Sequence, residues 1–201
     1  MKKLIMMAVL FMTALTVSAQ PGENKLTIKP AAGVNFATFT SDKDAKTKTG
    51  FTLGAEAEYG ETGNMSLSLG VFYSQMGAKS SISGSKDDLN WNFDYIAFPL
   101  LQNYYLAKGF AVKAGVQGGI NIRKKVSMGS ESMDFNEFGK LLTPEAKLKT
   151  FDAGVVLGLS YEVKGVTIDA RYYLGTTKVM DNYNDKNSVI SLTIGYKFNV
   201  M

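Results

Sequence analysis

Four carboxylates and two cations stand mid-segment in stretches that otherwise alternate apolar with small residues: Glu56, Glu58, Asp152, Asp169, Lys113 and Arg171. Glu56 and Glu58 are two apart, so in an extended strand they share a face, and paired carboxylates can do acid–base work. Charges of both signs on one face can instead neutralise one another as a structural ion-pair network. The network is the better account of these six, and no catalytic residue is assigned. Histidine and cysteine are absent from the chain. Ser–His–Asp and Cys–His arrangements therefore cannot be built, and neither can a zinc site with imidazole or thiolate ligands. Two polar stretches gather oxygen donors: Ser85, Asp87 and Asp88 in one, and Asp181, Asn182, Asn184 and Asp185 in the other. Oxygen donors suit weak calcium binding, but solvated loops account for them without a metal. Gly118-Gly119 follows no strand-to-helix pattern and is not a phosphate loop. No cofactor and no metal is expected.

The elements that would carry the six charges are strands. Eight segments show strand character: residues 26–39, 49–60, 65–77, 93–106, 110–122, 149–161, 166–175 and 188–200, with the period-2 alternation blurred in the fourth, where Ile96, Phe98 and Leu100 compete with Ala97, Pro99 and Leu101. The last is the clearest. Ile190, Leu192, Ile194, Tyr196 and Phe198 fall on one face, and Ser191, Thr193, Gly195 and Lys197 on the other. The second segment sets Phe51, Leu53, Ala55, Ala57 and Tyr59 against Thr52, Gly54, Glu56 and Glu58. In the fifth, Phe110, Val112, Val116 and Ile120 oppose Lys113, Gln117 and Asn121. In the seventh, Val166, Ile168, Ala170, Tyr172 and Leu174 oppose Thr167, Asp169, Arg171 and Tyr173.

Connections alternate in length. Residues 61–64, 107–109 and 162–165 make tight turns, with Gly63 and Asn64 suited to positive φ. The stretches 40–48, 78–92, 123–148 and 176–186 are longer. Asp134-Phe135-Asn136-Glu137 has the form of a capping box and allows one short surface helix. Short turns on one side and long loops on the other are the habit of outer-membrane barrels. The N-terminus agrees. Lys2 and Lys3 precede an apolar run over residues 4–17, and Val17-Ser18-Ala19 offers small residues for cleavage. A signal peptide over 1–19 is expected, leaving 20–201 as one barrel domain. The run is shorter than a spanning helix, which needs roughly 20 apolar residues, and no cysteine follows it for lipid attachment. Removing Lys2 and Lys3 from the 22 basic residues leaves 20 against 18 acidic ones. That near-balance gives no reason to expect a nucleic-acid partner.

The orientation of the apolar face decides the class. Three features put it outward, toward lipid. Charges of both signs on the second face can pair inside a narrow lumen. The same face is rich in small residues (Gly54, Ser66, Ser68, Gly70, Gly115, Gly154 and Gly158) that leave room for them. Aromatics gather at strand ends: Tyr59, Phe110, Tyr161 and Phe198 at one rim, and Phe51, Tyr73, Phe151 and Tyr172 at the other. Phe72, Val156 and Tyr173 break the pattern and are expected to fill the lumen. Pro99 interrupts a segment that otherwise spans, and a closed barrel has no free edge. A β-bulge at Pro99 that shifts the phase is expected.

Several motifs together resemble the PorT-like outer-membrane β-barrel family. YIAFPLLQNYYL resembles its strand with a central proline. FDAGVVLGLSYEVKGVTIDARYYLGTT resembles its sixth and seventh strands, at Gly158, Tyr161, Arg171, Tyr172 and Gly175. KPAAGVNFATF is similar to its first strand around Gly33, and IGYKF to its closing strand at Gly195, Tyr196 and Phe198. The resemblance implies a small OmpA/OmpX-like barrel with no shared catalytic residues, and one member of the family takes part in protein secretion.

The expectation is therefore an all-β, eight-stranded antiparallel up-and-down transmembrane barrel of the outer membrane, non-enzymatic, with a side-chain-filled lumen and outer loops for contact or adhesion. Its expected partners are outer-membrane lipid and lipopolysaccharide, and the barrel-assembly machinery through the C-terminal strand. Two other functions compete: a soluble lipocalin-like carrier with its apolar faces inward, and an accessory subunit of a secretion complex.

Overall fold

The computed structural model describes residues 24–40, 45–80, 89–128, 131–135, 149–179 and 185–200. The expected signal peptide therefore lies outside the described residues. So do both oxygen-rich loops apart from Asp185, and the Asn136 and Glu137 half of the capping box.

Eight strands of ten residues or more build the molecule: β1 (Leu26–Phe39), β2 (Lys48–Thr62), β3 (Met65–Ser80), β4 (Leu89–Ala107), β5 (Phe110–Met128), β6 (Phe151–Val163), β7 (Val166–Gly175) and β8 (Asn187–Tyr196). Each pairs antiparallel with the next, and β8 pairs with β1, so the sheet closes. Short strands extend the rims: Ala45–Lys46 beside β3, Glu131–Asp134 beside β5, and Phe198–Asn199 beside β1. Among the described residues no helix is long and apolar enough to cross a membrane.

The stagger of the closure can be followed residue by residue. Thr27 pairs with Glu58, then come Ser68, Leu101, Gly115, Val156, Tyr173 and Val189, and the circuit re-enters β1 at Ala37, ten residues along. With a rise of about 3.3 Å per residue and strands about 4.8 Å apart, that shear tilts the strands by roughly 40°. Eight strands at this tilt leave a lumen that side chains just fill. The shift is even, so every strand keeps one face in and one face out all round the wall.

The facing is inverted relative to a soluble protein. Leu53, Leu69, Leu157, Ile168 and Ile194 are 57–59 % exposed on the outer wall. Lys29, Glu56, Glu58, Lys113 and Asp169 are at most 1 % exposed inside. In water, such a girdle would far exceed the few hundred Å² of apolar patch that a soluble monomer shows. The soluble-carrier reading, which needs the apolar faces inward, is overturned by this facing. Tyr59 and Phe198 mark one edge of the apolar band, and Phe51, Phe151 and Tyr172 the other, all on the outward face.

Several boundaries and turns differ from expectation. β4 and β5 run to 19 residues each, because pairing continues past the apolar band to Leu89↔Met128. Polar composition there marked a solvated face, not the end of the strand. Gly63 and Asn64 do not adopt positive φ; the irregularity at that turn is a register shift between Gly60 and Thr62. Lys164 and Gly165 have φ of 51° and 82°, the pair of left-handed residues that a type I′ hairpin turn requires.

No bulge sits at Pro99. The β4–β5 register runs through Pro99↔Gln117 without a shift and slips instead at Asp94/Tyr95 and at Tyr105/Ala107. On the other side, the β3–β4 ladder skips from Leu69↔Leu100 to Phe72↔Ala97 and keeps its phase. Proline's missing N–H thus removes a local piece of ladder without adding a residue. Gly70 gives the ring its space: a Cβ there would lie 3.1 Å from Pro99 Cγ.

Candidate functional site

The lumen is stacked in layers whose composition follows from the alternation. Near its middle, Lys29 of β1, Glu56 of β2, Lys113 of β5, and Asp169 and Arg171 of β7 converge. Lys29 Nζ lies 3.1 Å from Glu56 Oε1 and 2.8 Å from Asp169 Oδ2. Lys113 Nζ reaches the same two carboxylates at 2.9 and 3.1 Å. Arg171 Nη2 lies 2.6 Å from Glu56 Oε2 and 3.6 Å from Asp169 Oδ1. Glycines make room for the long stems. A Cβ on Gly158 would lie 3.2 Å from Arg171 Cγ, and one on Gly195 3.0 Å from Lys29 Cγ.

A second layer lies toward the short turns. Lys197 Nζ bridges Glu58 at 2.8 Å and Glu162 at 2.9 Å. Glu58 also accepts from Ser66 Oγ at 2.6 Å and from the Tyr105 hydroxyl. The middle layer has three cations to two carboxylates, and the second has two carboxylates to one cation. The excesses are opposite and adjacent, so the two layers balance as one unit. Burying ions is costly unless each is paired, and here each is.

Above the ions the filling changes. Phe72 and Tyr173 lie where Gly54 and Gly154 open space; a Cβ on either glycine would come within 2.7 Å of the neighbouring ring. Phe72 carries Arg171 over its face at 5.6 Å. A cavity of 30 Å³ remains, lined by Phe72, Pro99, Gln117, Val156, Arg171 and Tyr173 among others. Toward the long loops, Asp152 accepts from Tyr173 Oη at 2.9 Å, Thr177 Oγ1 at 2.6 Å and Asn187 Nδ2 at 2.8 Å. Phe39, Met76, Ala78, Phe93, Val126, Phe135 and Val179 then close the mouth as an apolar cap. Phe93 and Phe135 pack edge-on with ring centres 6.4 Å apart.

Of the six charges singled out in the sequence, Glu56, Lys113, Asp169 and Arg171 meet in one cluster. Glu58 belongs to the layer below, and Asp152 stands apart, satisfied by hydroxyls and an amide. Lys29 and Lys197 were missed as cluster members. The signal for Lys29 was its period-2 step from Thr27 and Ala31 on the face opposite Ile28. Lys197 was on the polar face of the closing strand already.

The closing seam has a fault that the lumen charges straddle. Pairs between β1 and the end of the chain run from Phe39↔Asn187 to Ala31↔Gly195 and resume at Ile28↔Phe198. The interval holds Lys29 and Pro30 opposite Tyr196 and Lys197. Pro30 has no N–H to give, and Lys197 N donates to Gly165 O at 2.8 Å instead. Inside the wall, Lys29 of β1 reaches across β8 to Asp169 of β7, and Lys197 reaches across β1 to Glu58 of β2.

A closed eight-stranded wall, apolar outside and ionic inside, fits a membrane and nothing else in the cell envelope. Family comparison agrees: the model of the outer membrane protein beta-barrel domain matches residues 18–181. The chain belongs to that family. This outer-membrane barrel also shares its fold with Neisserial surface protein A (NspA), at 18% identity and a TM-score of 0.54, over 86% of this chain and 97% of that one. The attachment invasion locus protein Ail of Yersinia pestis aligns at 17% identity and a TM-score of 0.49, over 88% and 99% of the two chains. No curated protein matches. The protein is an integral outer-membrane barrel, with short turns in the periplasm and long loops outside.

Proposed function

We propose that this barrel is a sealed, non-enzymatic membrane scaffold of the PorT-like kind, whose work is done by the outer loops in contact or adhesion. The observation that carries the proposal is the filling of the lumen. Five charged side chains, none more than 11 % exposed, cross-link its middle, and aromatics cap its outer mouth. The 30 Å³ cavity beside Arg171 admits a water or two, against the roughly 300–1,000 Å³ of a small-molecule site. Among the described residues, no three His, Cys, Asp or Glu side chains group as metal ligands. The buried carboxylates are engaged by cations and lack access for a substrate.

The surrounding partner in this proposal is outer-membrane lipid, lipopolysaccharide included, and the assembly machinery takes up the exposed closing strand at Ile190, Leu192, Ile194, Tyr196 and Phe198. Planar-bilayer recording tests the sealing. The purified barrel is expected to give no steady current, and large stable open states refute the scaffold reading. Service as an accessory subunit of a secretion complex remains compatible with a sealed barrel. Co-purification of a large complex from mildly solubilised membranes would establish it, and intact secretion in a deletion strain would exclude it.

A further inference from the structure

β3, β4 and β5 rise past the other strands. β6 begins opposite Ile120, while β5 continues to Met128 against Leu89 of β4. Ala78, Phe93 and Val126 point into the cap, at 0, 0 and 3 % exposure. The alternating residues therefore form rows on the other face, Gln75–Asp94–Arg123, Gly77–Asn92–Lys125 and Lys79–Asn90–Ser127, in which Asp94 and Gly77 are themselves covered by their neighbours. Lys46 pairs beside Lys79 on the same extension. Among the described residues four cations thus occupy this sheet surface, with two acidic residues, Asp94 and, directly opposite Lys125, Asp134. Asp94 accepts from the Tyr73 hydroxyl at 2.7 Å. The Arg123 guanidinium forms a long ion pair with Asp94 Oδ2 at 3.6 Å, and its side chain is 54% exposed.

Directly below these rows the wall turns apolar. Phe51 and Tyr73 pack at a tilt with ring centres 5.3 Å apart, and Ile122 is 55 % exposed. We propose that this outward face is a docking surface for the phosphate groups of the outer-leaflet glycolipid, with Arg123, Lys125 and Lys79 as the phosphate-binding residues. The assignment rests on the loops-outward orientation used above. Continuity with the apolar band decides the occupant: a lipid offers acyl chains and phosphate at adjoining heights, whereas an acidic protein or a free anion does not. Successive rows lie ~7 Å apart along a strand and neighbouring strands ~4.8 Å apart. Arg123 and Lys125, one row apart on β5, can converge on one phosphate through charge-assisted hydrogen bonds, while Lys79, two strands away on β3, reaches a second phosphate of the same glycolipid.

The test uses the full barrel in lipid nanodiscs, with lipid A carrying its phosphates or enzymatically stripped of them, and native mass spectrometry of the retained lipid. Wild-type barrel is expected to retain the phosphorylated form about tenfold better. The triple variant R123Q/K125Q/K79Q should lose that preference. K108Q/K164Q, which removes cations from the periplasmic turns, should keep it. Heat-dependent gel mobility reports folding of each variant, and R123Q alone serves if the triple variant does not fold. Equal retention of both lipids by wild type, an unaffected folded variant, or competition by millimolar inorganic phosphate overturns the assignment. Bilayer conductance remains the separate test of the sealed scaffold, so either conclusion can fail alone.

Discussion

Glu56→Gln should destabilise the barrel more than Lys29→Met, although both residues are at most 1 % exposed and belong to one cluster. The difference follows from how many partners each side chain leaves stranded. Glu56 holds Arg171 at 2.6 Å, Lys113 at 2.9 Å and Lys29 at 3.1 Å. Its neutralisation leaves three cations around Asp169 alone. Breaking a buried ion pair from one side costs about 3–5 kcal/mol, because the stranded charge keeps its desolvation cost. Lys29→Met instead leaves Glu56 and Asp169 each still held by Lys113 and Arg171. The loss is then nearer that of one charge-assisted hydrogen bond, about 1.5–3 kcal/mol. Urea unfolding in lipid vesicles measures both. Trp91, the single tryptophan, gives the fluorescence signal, and gel mobility gives an independent reading. A Lys29→Met cost equal to or above that of Glu56→Gln would refute the central place of Glu56 among the three cations.

Other perturbations probe the seam and the wall. Lys197→Met removes the link from the chain just past β8 to β2, so amide exchange at Ala31 and Tyr196 should rise about tenfold over that of β2–β3 amides; uniform exchange would show that the charge does not clasp the seam. Gly33→Ala places a Cβ 2.0 Å from Leu192 O across the same seam. It should cost about 1–3 kcal/mol by overpacking, and wild-type urea stability would contradict the close approach. Leu192→Arg puts a charge on the outward face between the two aromatic rims, where about 2–4 kcal/mol is expected. A Thr193→Arg variant, facing the lumen, should fail differently, by steric exclusion and not by lipid depth. Insensitivity of the Leu192→Arg variant to bilayer thickness would count against the lipid-facing assignment.

Strand identity and facing were legible because each depends on a local, period-2 signal. Leu26–Phe39 and Val166–Gly175 were delimited from alternation alone, and the same alternation set Glu56, Lys113, Asp169 and Arg171 on one face. Height in the lumen was not legible. Asp152 and Asp169 look equivalent in sequence, yet the ten-residue stagger lifts Asp152 to the outer end and leaves Asp169 among the cations. Which charges meet is fixed by shear, a property of the closed circuit that no single segment encodes.

Pro99 makes the same point from the other side. Its composition signals a broken strand, and a bulge would satisfy that signal locally. In the closed wall a bulge there would shift the phase and turn Leu101, Asn103 and Tyr105 outward, and the following hairpin with them. All three are at most 5 % exposed, and Asn103 and Tyr105 bond within the lower charged layer. Losing a short piece of ladder beside Gly70 disturbs two strands, whereas a phase shift would disturb the packing of the whole lower lumen. The register is therefore held by the side chains inside the barrel, and the backbone defect is the smaller penalty.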